Sequence, residues 1–474
     1  MQFFTSLLAA TAALSGLSQA APRITHDKRS TVTRAGTTYN VFEHAATGAK
    51  MEFVANSGVC ETTPGVKQYS GYLSVGDNMN MWFWFFEARQ NPSTAPLATW
   101  FNGGPGCSSM IGLFQENGQV CPCKFKVGSS NAPVNNTFSF NNYANMLYID
   151  QPIGVGFSYG SNSVSSTVTA APYVWKLIQA FYASFPEYKS RDFGIFTESY
   201  GGHYGPEFAK YIQDQNKAKA GENINLVALG INNGWFDSLI QEKAYIQFSY
   251  NNTYKPLISK SQYTKYMSTY QTDCLPEIQA CQKTGTNAAC QQADNTCSAT
   301  IESPLYSAAD FDVYDIRAPS NDPEPPANYA TFLKDASIIK SIGAKSTYQE
   351  CPNAPYNKFA ATGDGPRSFM SQLNDVVASG VQTLIWAGDA DWICNWFGVY
   401  DVANSIKYSG QTAFAAKSLA PYNVKGKEGG SFKTQGNLSF LRVYGAGHEV
   451  MYYQPELALQ AFIQTMKKGA IAST

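Results

Sequence analysis

Ser199 lies where a short apolar strand is predicted to turn sharply into a helix. Residues 193–197 form the apolar run, and the helical run 207–212 follows Pro206, a residue suited to a first helical turn. A serine on such a turn points away from the sheet, and the following helix directs its backbone amides toward it. The pattern indicates a nucleophile. However, Thr197 stands where glycine is usual, so this stretch alone fits an ordinary serine in a turn equally well.

A nucleophilic serine needs a base, and histidine is scarce in this chain. The sequence contains four histidines: His26, His44, His203 and His448. Where serine occupies a strand-to-helix turn of this kind, the chain order of the triad is serine, acid, histidine. Apart from His203 in the turn itself, only His448 follows Ser199, on a glycine-rich loop after the predicted strand 440–444. His448 is therefore the predicted base.

The acid is expected after the predicted strand 381–386, where Asp389 and Asp391 both lie. Either carboxylate could orient Nδ1 of His448 and stabilise the imidazolium. Three candidate groups then follow three strands in the order of a catalytic triad, which makes a coincidental loop histidine and aspartate the weaker interpretation. This order predicts an α/β-hydrolase.

Strands and helices alternate along the chain, which predicts an α/β fold with a mostly parallel sheet flanked by helices. The predicted strands are 68–75, 81–88, 96–101, 145–150, 193–197, 226–231, 381–386 and 440–444. The predicted helices besides 207–212 are 169–185, 368–379 and 455–466. Ligands of such sheets bind at the carboxyl ends of the strands, which is where the candidate triad lies.

One long segment does not continue this alternation. Residues 236–365 are rich in Tyr and Gln, hold five of the ten cysteines and include the Pro-rich run 322–326. We expect this segment to be a helical cap inserted between two parts of the α/β-hydrolase core, 30–235 and 366–474.

The amino-terminal residues predict export. Residues 1–20 carry an apolar run that ends in Ser-Gln-Ala, as in a signal peptide. Residues 21–29 are predicted to be a propeptide that ends at the dibasic pair Lys28-Arg29, although an exposed pair of charges is the alternative. Three sequons are candidate glycosylation sites: Asn135, Asn251 and Asn437.

The bulk composition excludes several classes of partner. The 474-residue chain has a net charge of −1, so no basic surplus indicates nucleic acid. A membrane span needs about 20 apolar residues, and no stretch beyond the signal peptide approaches that length. A content of 29 Tyr and 8 Trp predicts an aromatic-walled cleft. No cofactor and no metal ion are expected.

Five motifs carry a family resemblance. They are NGGPGCSS (102–109), DQPIGVGFS (150–158), ESYGGHY (198–204), DADWICN (389–395) and GH (447–448). Together they resemble the serine carboxypeptidases over essentially the whole mature length, and most of all the fungal secreted members. The resemblance implies that Asp391 is the triad acid, that Asp389 is a structural turn residue, and that a disulfide-bonded cap is inserted in the fold.

An exopeptidase that acts on a free C-terminus must bind a carboxylate, yet no Arg or Lys lies in these motifs. The resemblance implies that Asn102, the Gly103 amide and a protonated Glu198 bind it, with Glu116 as a supporting acid. A neutral Glu can donate a hydrogen bond to the carboxylate, whereas an ionised one repels it. Activity is therefore expected to favour acidic pH. A helix-surface charge is the alternative interpretation of Glu116.

The oxyanion hole is expected to consist of the backbone amides of Gly104 and Tyr200. Glu449 follows the predicted base, where some family members carry Met, and its carboxylate would favour a basic C-terminal residue. By the resemblance, Trp235 lines the pocket on the other side of the scissile bond. Cys394 matches a free cysteine near the substrate.

Ten cysteines in a chain with a signal peptide predict disulfides. Four of them have symmetric spacing that suits nested pairs and matches a family pattern, with a zinc site as the alternative. The predicted pairs are Cys274–Cys297, Cys281–Cys290 and, by the resemblance, Cys107–Cys351. Cys60 is expected to pair with Cys121 or Cys123, and the sequence does not distinguish the two.

The predicted function is a serine-type carboxypeptidase that releases C-terminal residues from peptides and proteins at acidic pH through an acyl-enzyme on Ser199. We expect it in the secretory pathway, either secreted or in a vacuole. An acyltransferase on the same scaffold is a second interpretation, which product analysis with a competing nucleophile would separate. An inactive binding homologue is a third, and the intact Ser199, Asp391 and His448 argue against it.

Overall fold

The computed structural model describes residues 27–45, 48–118 and 135–474. One sheet of fourteen strands runs through this part of the chain. Its strands are β1 (Lys28–Arg34), β2 (Thr37–Glu43), β3 (Lys50–Ala55), β4 (Gln68–Gly76), β5 (Met79–Phe86), β6 (Leu97–Phe101), β7 (Asn145–Asp150), β8 (Tyr159–Gly160), β9 (Phe193–Glu198), β10 (Leu226–Asn232), β11 (Gln382–Gly388), β12 (Ala420–Val424), β13 (Lys427–Gln435) and β14 (Leu438–Val443). The helices are α1 (Thr167–Ser184), α2 (Gly201–Ala218), α3 (Ser238–Asn251), α4 (Lys260–Thr269), α5 (Leu275–Thr284), α6 (Asn287–Cys297), α7 (Ser303–Tyr306), α8 (Asn328–Phe332), α9 (Ala336–Ile342), α10 (Asn353–Ala360), α11 (Met370–Ala378), α12 (Trp396–Ser405), α13 (Gln411–Ala416), α14 (Val450–Tyr453) and α15 (Pro455–Met466).

The centre of the sheet is parallel and both of its edges are antiparallel. The strand order is β1-β2-β3-β4-β5-β7-β6-β9-β10-β11-β14-β13-β12, with β8 paired to β5. The six strands from β7 to β14 in this order run parallel. Because parallel strands end at one edge of the sheet, the loops after β6, β9, β10, β11 and β14 meet there.

The central strands are apolar on both faces because helices cover both faces. Every residue of β6, β7, β9 and β11 is buried, as expected of a sheet with two covered sides. Apolar residues of α1, α2, α11 and α12 pack on one face, and those of α15 pack on the other. A mostly parallel central sheet with an apolar core on each face is the architecture of an α/β-hydrolase.

Every strand and helix predicted from the sequence is present, but one boundary is wrong. The helix after Ser199 begins at Gly201 rather than beyond Pro206, so Pro206 lies inside α2. A proline at this depth leaves the carbonyl of Gly202 without its helical N–H partner, a small loss near a helix start.

The antiparallel edge strands β1–β3 and β12–β13 were not predicted. Their apolar patterns are weak because solvent reaches them: β1 is exposed at almost every position, and β12 is buried only at Tyr422. Partly solvated edge strands therefore carry less of the apolar signal on which strand prediction depends.

Residues 236–365, all of which the structure describes, contain eight α-helices, α3 to α10, and no strand. It has its own apolar core, which includes Tyr245, Phe248, Ile278 and Trp392. This agrees with the helical cap expected from the sequence.

All three predicted disulfides are present: Cys274–Cys297, Cys281–Cys290 and Cys107–Cys351. The first two brace the cap, and the third joins the glycine-rich loop after β6 to the end of the cap. Cys60 is buried and has no disulfide partner among the described residues. Its predicted partners, Cys121 and Cys123, lie outside the described residues.

The predicted signal peptide lies outside the described residues, as does most of the predicted propeptide. Lys28 and Arg29 begin β1, where they pair with Glu43 and Phe42 of β2. Within the described chain, no helix combines the length and apolarity that crossing a membrane requires.

The three sequons differ in accessibility. Asn135 and Asn251 are exposed, whereas Asn437 is partly buried. The Asn437 amide donates to the carbonyls of Val377 (2.8 Å) and Val381 (2.7 Å). A glycan on Asn437 would disturb these two hydrogen bonds, so the geometry favours the other two sites.

Candidate active site

Ser199 occupies a strained turn between β9 and α2. Its φ is +62°, a left-handed value that is unfavourable for a side chain other than glycine. The carbonyl of Ser199 accepts hydrogen bonds from the backbone N–H groups of Gly202 and Trp235, both at 2.9 Å. Its own N–H donates to the carbonyl of Asn232 at 3.0 Å. These hydrogen bonds stabilise the unfavourable backbone conformation and place the Ser199 side chain at the carboxyl edge of the sheet.

The same turn explains how Thr197 replaces the usual glycine. Thr197 Oγ1 donates to the carbonyl of Gly201 at 2.9 Å. A Cβ atom added at Gly201 would lie only 2.4 Å from Cβ of Thr197. The space for the threonine therefore comes from the glycine four residues later, and the turn keeps its shape.

The glycine-rich loop after β6 lies directly against this turn. A Cβ atom at Gly103 would come within 2.3 Å of the Tyr200 backbone nitrogen. Gly104 has a φ of +112° and no room for a side chain, since a Cβ there would lie 2.7 Å from the Cys107 nitrogen. Only glycine permits this approach. The arrangement brings the backbone of Gly104 and the Tyr200 amide, which are the predicted oxyanion-hole groups, next to Ser199.

His448 and Asp391 form a buried pair. Nδ1 of His448 lies 2.8 Å from Oδ2 of Asp391, and both side chains are almost completely buried. Asp391 also accepts hydrogen bonds from the amides of Ile393 (3.1 Å) and Cys394 (3.2 Å) and from the Asn233 side chain (2.7 Å). The carboxylate is thus fixed and can hold the imidazole in one orientation.

Electrostatics favour the charged form of His448. Burial lowers its pKa, but the adjacent Asp391 carboxylate outweighs burial and raises the pKa above the usual value, with further contributions from Glu449 and Glu116. These last two act only when ionised. Since burial raises the pKa of both Glu116 and Glu449, their contribution disappears in acidic solution.

The second aspartate of the predicted pair has a different role. Asp389 accepts hydrogen bonds from the Gly445 amide (3.0 Å), the Tyr254 hydroxyl (2.5 Å) and the Arg442 guanidinium (3.0 Å). It therefore ties the loop that carries His448 to the cap. This agrees with the structural role expected for Asp389.

A second buried network lies beside the turn and contains no basic side chain. Asn102 Nδ2 donates to Glu116 Oε1 (3.0 Å) and to Glu198 Oε1 (3.1 Å). The orientation of its amide is fixed because Asn102 Oδ1 accepts from the Trp100 indole (2.7 Å) and the Gly112 amide (2.8 Å). Asn102 therefore presents its donor side to the two acids.

Glu198 and Glu116 both contact Asn102 in this buried space, and their charges oppose each other. Burial, followed by the charge of Glu116, raises the pKa of Glu198 well above its usual range. Burial also raises the pKa of Glu116, although hydrogen bonds from Glu198 and Asn102 partly oppose it. Ionising two neighbouring buried carboxyl groups at the same time costs much free energy. The directions of these shifts indicate that Glu198 is protonated.

Sequence reasoning did not identify Asn232 and Asn233 as parts of the site. Asn232 Nδ2 donates to Glu198 Oε2 (3.0 Å) and to the His448 carbonyl (2.7 Å), so it joins the two networks. Asn233 donates to Asp391 and accepts from the Gly388 amide at 2.9 Å. The sequence pattern that could have indicated them is a pair of asparagines at the carboxyl end of β10. This strand lies between the strands that precede Ser199 and Asp391.

Two further candidate residues lie beside the triad: Glu449 is next to His448 in the chain, and Cys394 contacts the Ser199 side chain. Glu449 is partly buried and its Oε2 has no hydrogen-bond partner; burial raises its pKa to about 8. Cys394 is buried within reach of the Ser199 side chain, and burial raises the pKa of its thiol well above the usual value. A thiol held in this state is a poor nucleophile.

The cysteines of the cap do not form a metal site. Among the described residues, Glu242, Cys274 and Cys297 place potential ligand atoms within 4.8 Å of one another. However, Cys274 and Cys297 are joined as a disulfide. They offer no thiolate, so the zinc alternative is wrong for this pair.

Comparison with known proteins identifies the family. The family model described as "Serine carboxypeptidase" matches residues 58–468. The chain belongs to the serine carboxypeptidase family. It is 65% identical over 427 residues to Carboxypeptidase S1 of Penicillium janthinellum, which covers 89% of this chain and 100% of that protein. It is 36% identical over 411 residues to Carboxypeptidase Y of Schizosaccharomyces pombe, covering 83% of this chain and 40% of that one.

The fold also matches that of a solved structure. The crystal structure of Kex1(Δ)p, a prohormone-processing carboxypeptidase from Saccharomyces cerevisiae, superposes with a TM-score of 0.74 at 24% identity. The match covers 87% of this chain and 93% of that one. Family membership makes this protein a serine carboxypeptidase, whose substrates are the C-termini of peptides and proteins.

Proposed function

We propose that the enzyme releases C-terminal residues through an acyl-enzyme on Ser199. The observation that carries this proposal is the 2.8 Å contact between His448 Nδ1 and a buried, fully hydrogen-bonded Asp391, placed at the strand edge where Ser199 is presented. His448 Nε2 takes the Ser199 proton as the hydroxyl attacks the scissile carbonyl, and then donates it to the leaving amine. Water repeats the sequence to release the acyl group.

The developing oxyanion is stabilised by the backbone amides of Gly104 and Tyr200. Both glycines of the loop are needed for this, since a side chain at Gly103 would strike the Tyr200 nitrogen. Amides fixed in this way need no reorganisation when the charge develops, which is the main source of their effect.

The substrate carboxylate binds to the Asn102 amide, the Gly103 N–H and the protonated Glu198. This site carries no positive charge, so it depends on Glu198 remaining neutral. Glu116, in contact with both side chains, holds the arrangement. The raised pKa of Glu198 keeps it neutral in acidic solution, which makes this a recognition site that works best at acidic pH.

Ser199→Ala tests the whole proposal. The variant is expected to release a C-terminal residue from an N-acylated dipeptide at least about a thousandfold more slowly than the wild type, because the nucleophile is gone. A fluorophosphonate should label the wild type and not the variant. A variant that keeps its thermal stability and more than a tenth of the activity would contradict the proposal.

Glu449 gives the leaving residue a preference for positive charge. It neighbours His448, and its charge contributes to the raised pKa of Glu198, so it borders the carboxylate site. Its Oε2 is buried without a partner, and a guanidinium or ammonium group would satisfy it.

The test compares peptides that end in Arg and in Leu, with norleucine at the penultimate position of both. A bound guanidinium favours the ionised form of Glu449, so at pH 7 Glu449→Met is expected to lower the Arg-to-Leu ratio of kcat/KM by about tenfold. Since Met has nearly the volume of Glu, the two enzymes differ in charge more than in shape. An unchanged ratio would refute the role of Glu449.

The cellular location follows the same proposal. The predicted signal peptide, the two exposed sequons and three disulfides support passage through the secretory pathway, since disulfides persist in oxidising compartments. Secretion is the destination that we propose, with a vacuole as the alternative.

A further inference from the structure

The side chain of Tyr200 is anchored to the end of the cap. Its hydroxyl donates a hydrogen bond to Oδ2 of Asp364 at 2.7 Å. Asp364 is completely buried, and Tyr200 is only 6% exposed. Tyr200 directly follows Ser199, and its backbone amide is one of the two proposed donors to the oxyanion. The hydrogen bond therefore joins a proposed catalytic amide, through its own side chain, to a residue 164 positions later in the chain.

Asp364 is also tied to the hydrolase core. Its Oδ2 accepts hydrogen bonds from the hydroxyl (2.6 Å) and the amide (3.0 Å) of Thr167, the first residue of α1. Its other oxygen, Oδ1, is buried and has no hydrogen-bond partner among the described residues. The donors that bind this carboxyl group thus converge on one oxygen atom, and α1 fixes the position of that atom.

The ring of Tyr200 is held on its face as well. The His203 ring stacks on it, with the two ring centroids 4.5 Å apart, and the Phe359 ring meets it edge-on at 6.2 Å. The two ring nitrogens of His203 lie 2.5 Å from the Trp235 carbonyl and 3.2 Å from the Asp364 carbonyl. His203, which the proposed triad does not use, therefore packs against Tyr200 in a fixed orientation.

One segment of the cap contacts both parts of the chain that supply the proposed oxyanion donors. This clamp segment, residues 351–364, contains α10. Its first residue, Cys351, is bridged to Cys107 of the glycine-rich loop. A Cβ atom added at Gly106 of that loop would lie 3.0 Å from Cβ of Pro355 in α10. The last residue of the clamp segment carries the carboxyl group that binds the tyrosine hydroxyl.

The position of an oxyanion donor has to be accurate. A donor acts on the transition state when it lies about 2.7–3.1 Å from the developing charge. A displacement of about 1 Å can cost about a hundredfold in rate. Tyr200 follows the strained residue Ser199, whose φ is +62°. An anchor on the Tyr200 side chain therefore limits movement of the backbone exactly where strain would favour it.

We propose that Asp364 is a positioning residue, which orients the Tyr200 amide by binding the Tyr200 hydroxyl. The clamp segment thereby organises the oxyanion hole from the end of the cap. This role rests on the proposed function, because it requires the Tyr200 amide to stabilise the oxyanion. The carboxyl group acts through Tyr200 and not on the substrate.

The first test compares Tyr200→Phe with Thr167→Val. Each variant removes one hydroxyl that donates to Oδ2 of Asp364, but only Tyr200 adjoins the nucleophile. On an N-acylated norleucine-leucine dipeptide, Tyr200→Phe is expected to lower kcat by about fivefold to tenfold. Its KM should change by less than about twofold, because the ground state does not use the oxyanion donors. Thr167→Val should keep kcat within about twofold of the wild type, although both variants lose thermal stability.

The second test separates the tetrahedral state from ground-state binding. N-acyl-norleucinal forms a hemiacetal with the enzyme: Ser199 Oγ bonds to the aldehyde carbon, the carbonyl double bond becomes a single bond, and the serine proton passes to His448. N-acyl-norleucinol has the same side chain and forms no such adduct. Tyr200→Phe should weaken inhibition by the aldehyde about fivefold to tenfold and leave inhibition by the alcohol within about twofold.

The third test asks whether Asp364 acts through Tyr200. Asp364→Ala should lower kcat as much as Tyr200→Phe does, and the double variant should be no slower than either single variant. Asp364→Asn should restore most of the activity, because its amide oxygen can accept where Oδ2 does and its nitrogen takes the position that has no donor. Should Asp364→Ala unfold, as judged by its melting temperature, Tyr200→Phe with the aldehyde and the alcohol decides the question.

The outcomes distinguish this role from the proposed function. An unchanged kcat in Tyr200→Phe, an equal fall in Thr167→Val, or losses that multiply in the double variant overturn the role of Asp364. Each leaves the carboxypeptidase mechanism standing, provided that the wild type releases leucine and Ser199→Ala does not. A wild type that releases no leucine, or a Ser199→Ala variant that still releases it, overturns the mechanism and the positioning role together.

Discussion

Asn232 connects the two buried hydrogen-bond networks of the candidate site. Its amide donates at once to Glu198 and to the carbonyl of His448. The proposed carboxylate-binding group and the proposed base therefore share one hydrogen-bond donor. We expect a displacement of either group to move the other, which would couple carboxylate binding to proton transfer.

Glu198→Gln tests carboxylate recognition at the level of one residue. The wild-type kcat/KM on peptides should fall as pH rises through the raised pKa of Glu198, because the ionised side chain repels the substrate. Gln keeps an N–H donor at every pH. The variant should therefore lose most of this pH dependence, at a cost of about tenfold in kcat/KM at pH 5.

The control for this prediction is a substrate with a C-terminal amide, which has no carboxylate to repel. Wild type and variant should show the same pH profile with it, and the wild type should tolerate higher pH than with the free acid. Equal wild-type profiles for both substrates would contradict carboxylate recognition by Glu198.

At the scale of elements, the turn from β9 to α2 depends on a matched pair of residues. Gly201→Ala places a methyl group against Thr197, where an added Cβ meets Thr197 Cβ at 2.4 Å. We expect a loss of about 1–3 kcal/mol in the free energy of unfolding, together with lower kcat, because the turn that holds Ser199 must distort.

The double variant Thr197→Gly/Gly201→Ala is the matched rescue. It removes the clash and restores glycine at the position where the strand–serine–helix pattern normally has it. Its free energy of unfolding, from urea denaturation, should exceed that of Gly201→Ala alone. Additive losses in the double variant would show that Thr197 and Gly201 are not coupled through this contact.

The sequence predicted the central strands well because they are buried on both faces. It also predicted that the candidate catalytic groups lie together, because each of them follows one of those strands. Ser199, Asp391 and His448 each lie after a central strand whose carboxyl end faces the same edge. Asn232 and Asn233 lie at such an end too. An asparagine side chain, however, does not titrate, and these two belong to no recognised catalytic motif. Their hydrogen-bond partners are far away in the sequence, so their role could not be predicted from it.

Three acids of the cap that line one cavity, Glu242, Asp294 and Glu302, could not be predicted as a cluster for a different reason. They are spread over sixty residues, and no regular spacing connects them. Their convergence depends on how α3 and α6 pack beneath nested disulfides. The edge strands were missed because half-solvated strands have little apolar periodicity.

At the scale of the whole molecule, the many buried acids set how stability depends on pH. Burial raises the pKa of Asp150 and of Glu302 to about 7 and that of Glu449 to about 8. A carboxyl whose pKa is higher in the folded state binds its proton more tightly there. Its contribution to stability is complete below the unfolded pKa and is lost as pH rises through the folded one.

The melting temperature is therefore expected to be highest near pH 4–5 and to fall between about pH 5 and 8. On the acid side, hydrogen bonds from Arg34, Lys345 and Lys50 outweigh partial burial and lower the pKa of Glu52 to about 2. That contribution is lost only as pH falls from about 4.5 toward 2.

Scanning calorimetry from pH 3 to pH 8 measures this profile. Glu302→Gln removes one of the buried titrating groups and should reduce the fall above pH 5, whereas Asp273→Asn at an exposed site should leave the profile unchanged. A melting temperature that rises from pH 5 to pH 7 would contradict the account.

The position of Lys28 and Arg29 in β1 affects when the predicted propeptide could be cleaved. Arg29 pairs with Phe42, its guanidinium lies 4.9 Å from the Phe42 ring centroid, and it donates to the Ser184 carbonyl at 2.6 Å. A processing protease needs this dibasic pair as a single extended strand, free of its neighbour. Since β1 is the outermost strand, only its local detachment has to precede the cut. We therefore expect cleavage at the predicted site after Arg29 to be fastest before β1 pairs with β2, and afterwards to be limited by the rate at which β1 detaches from β2.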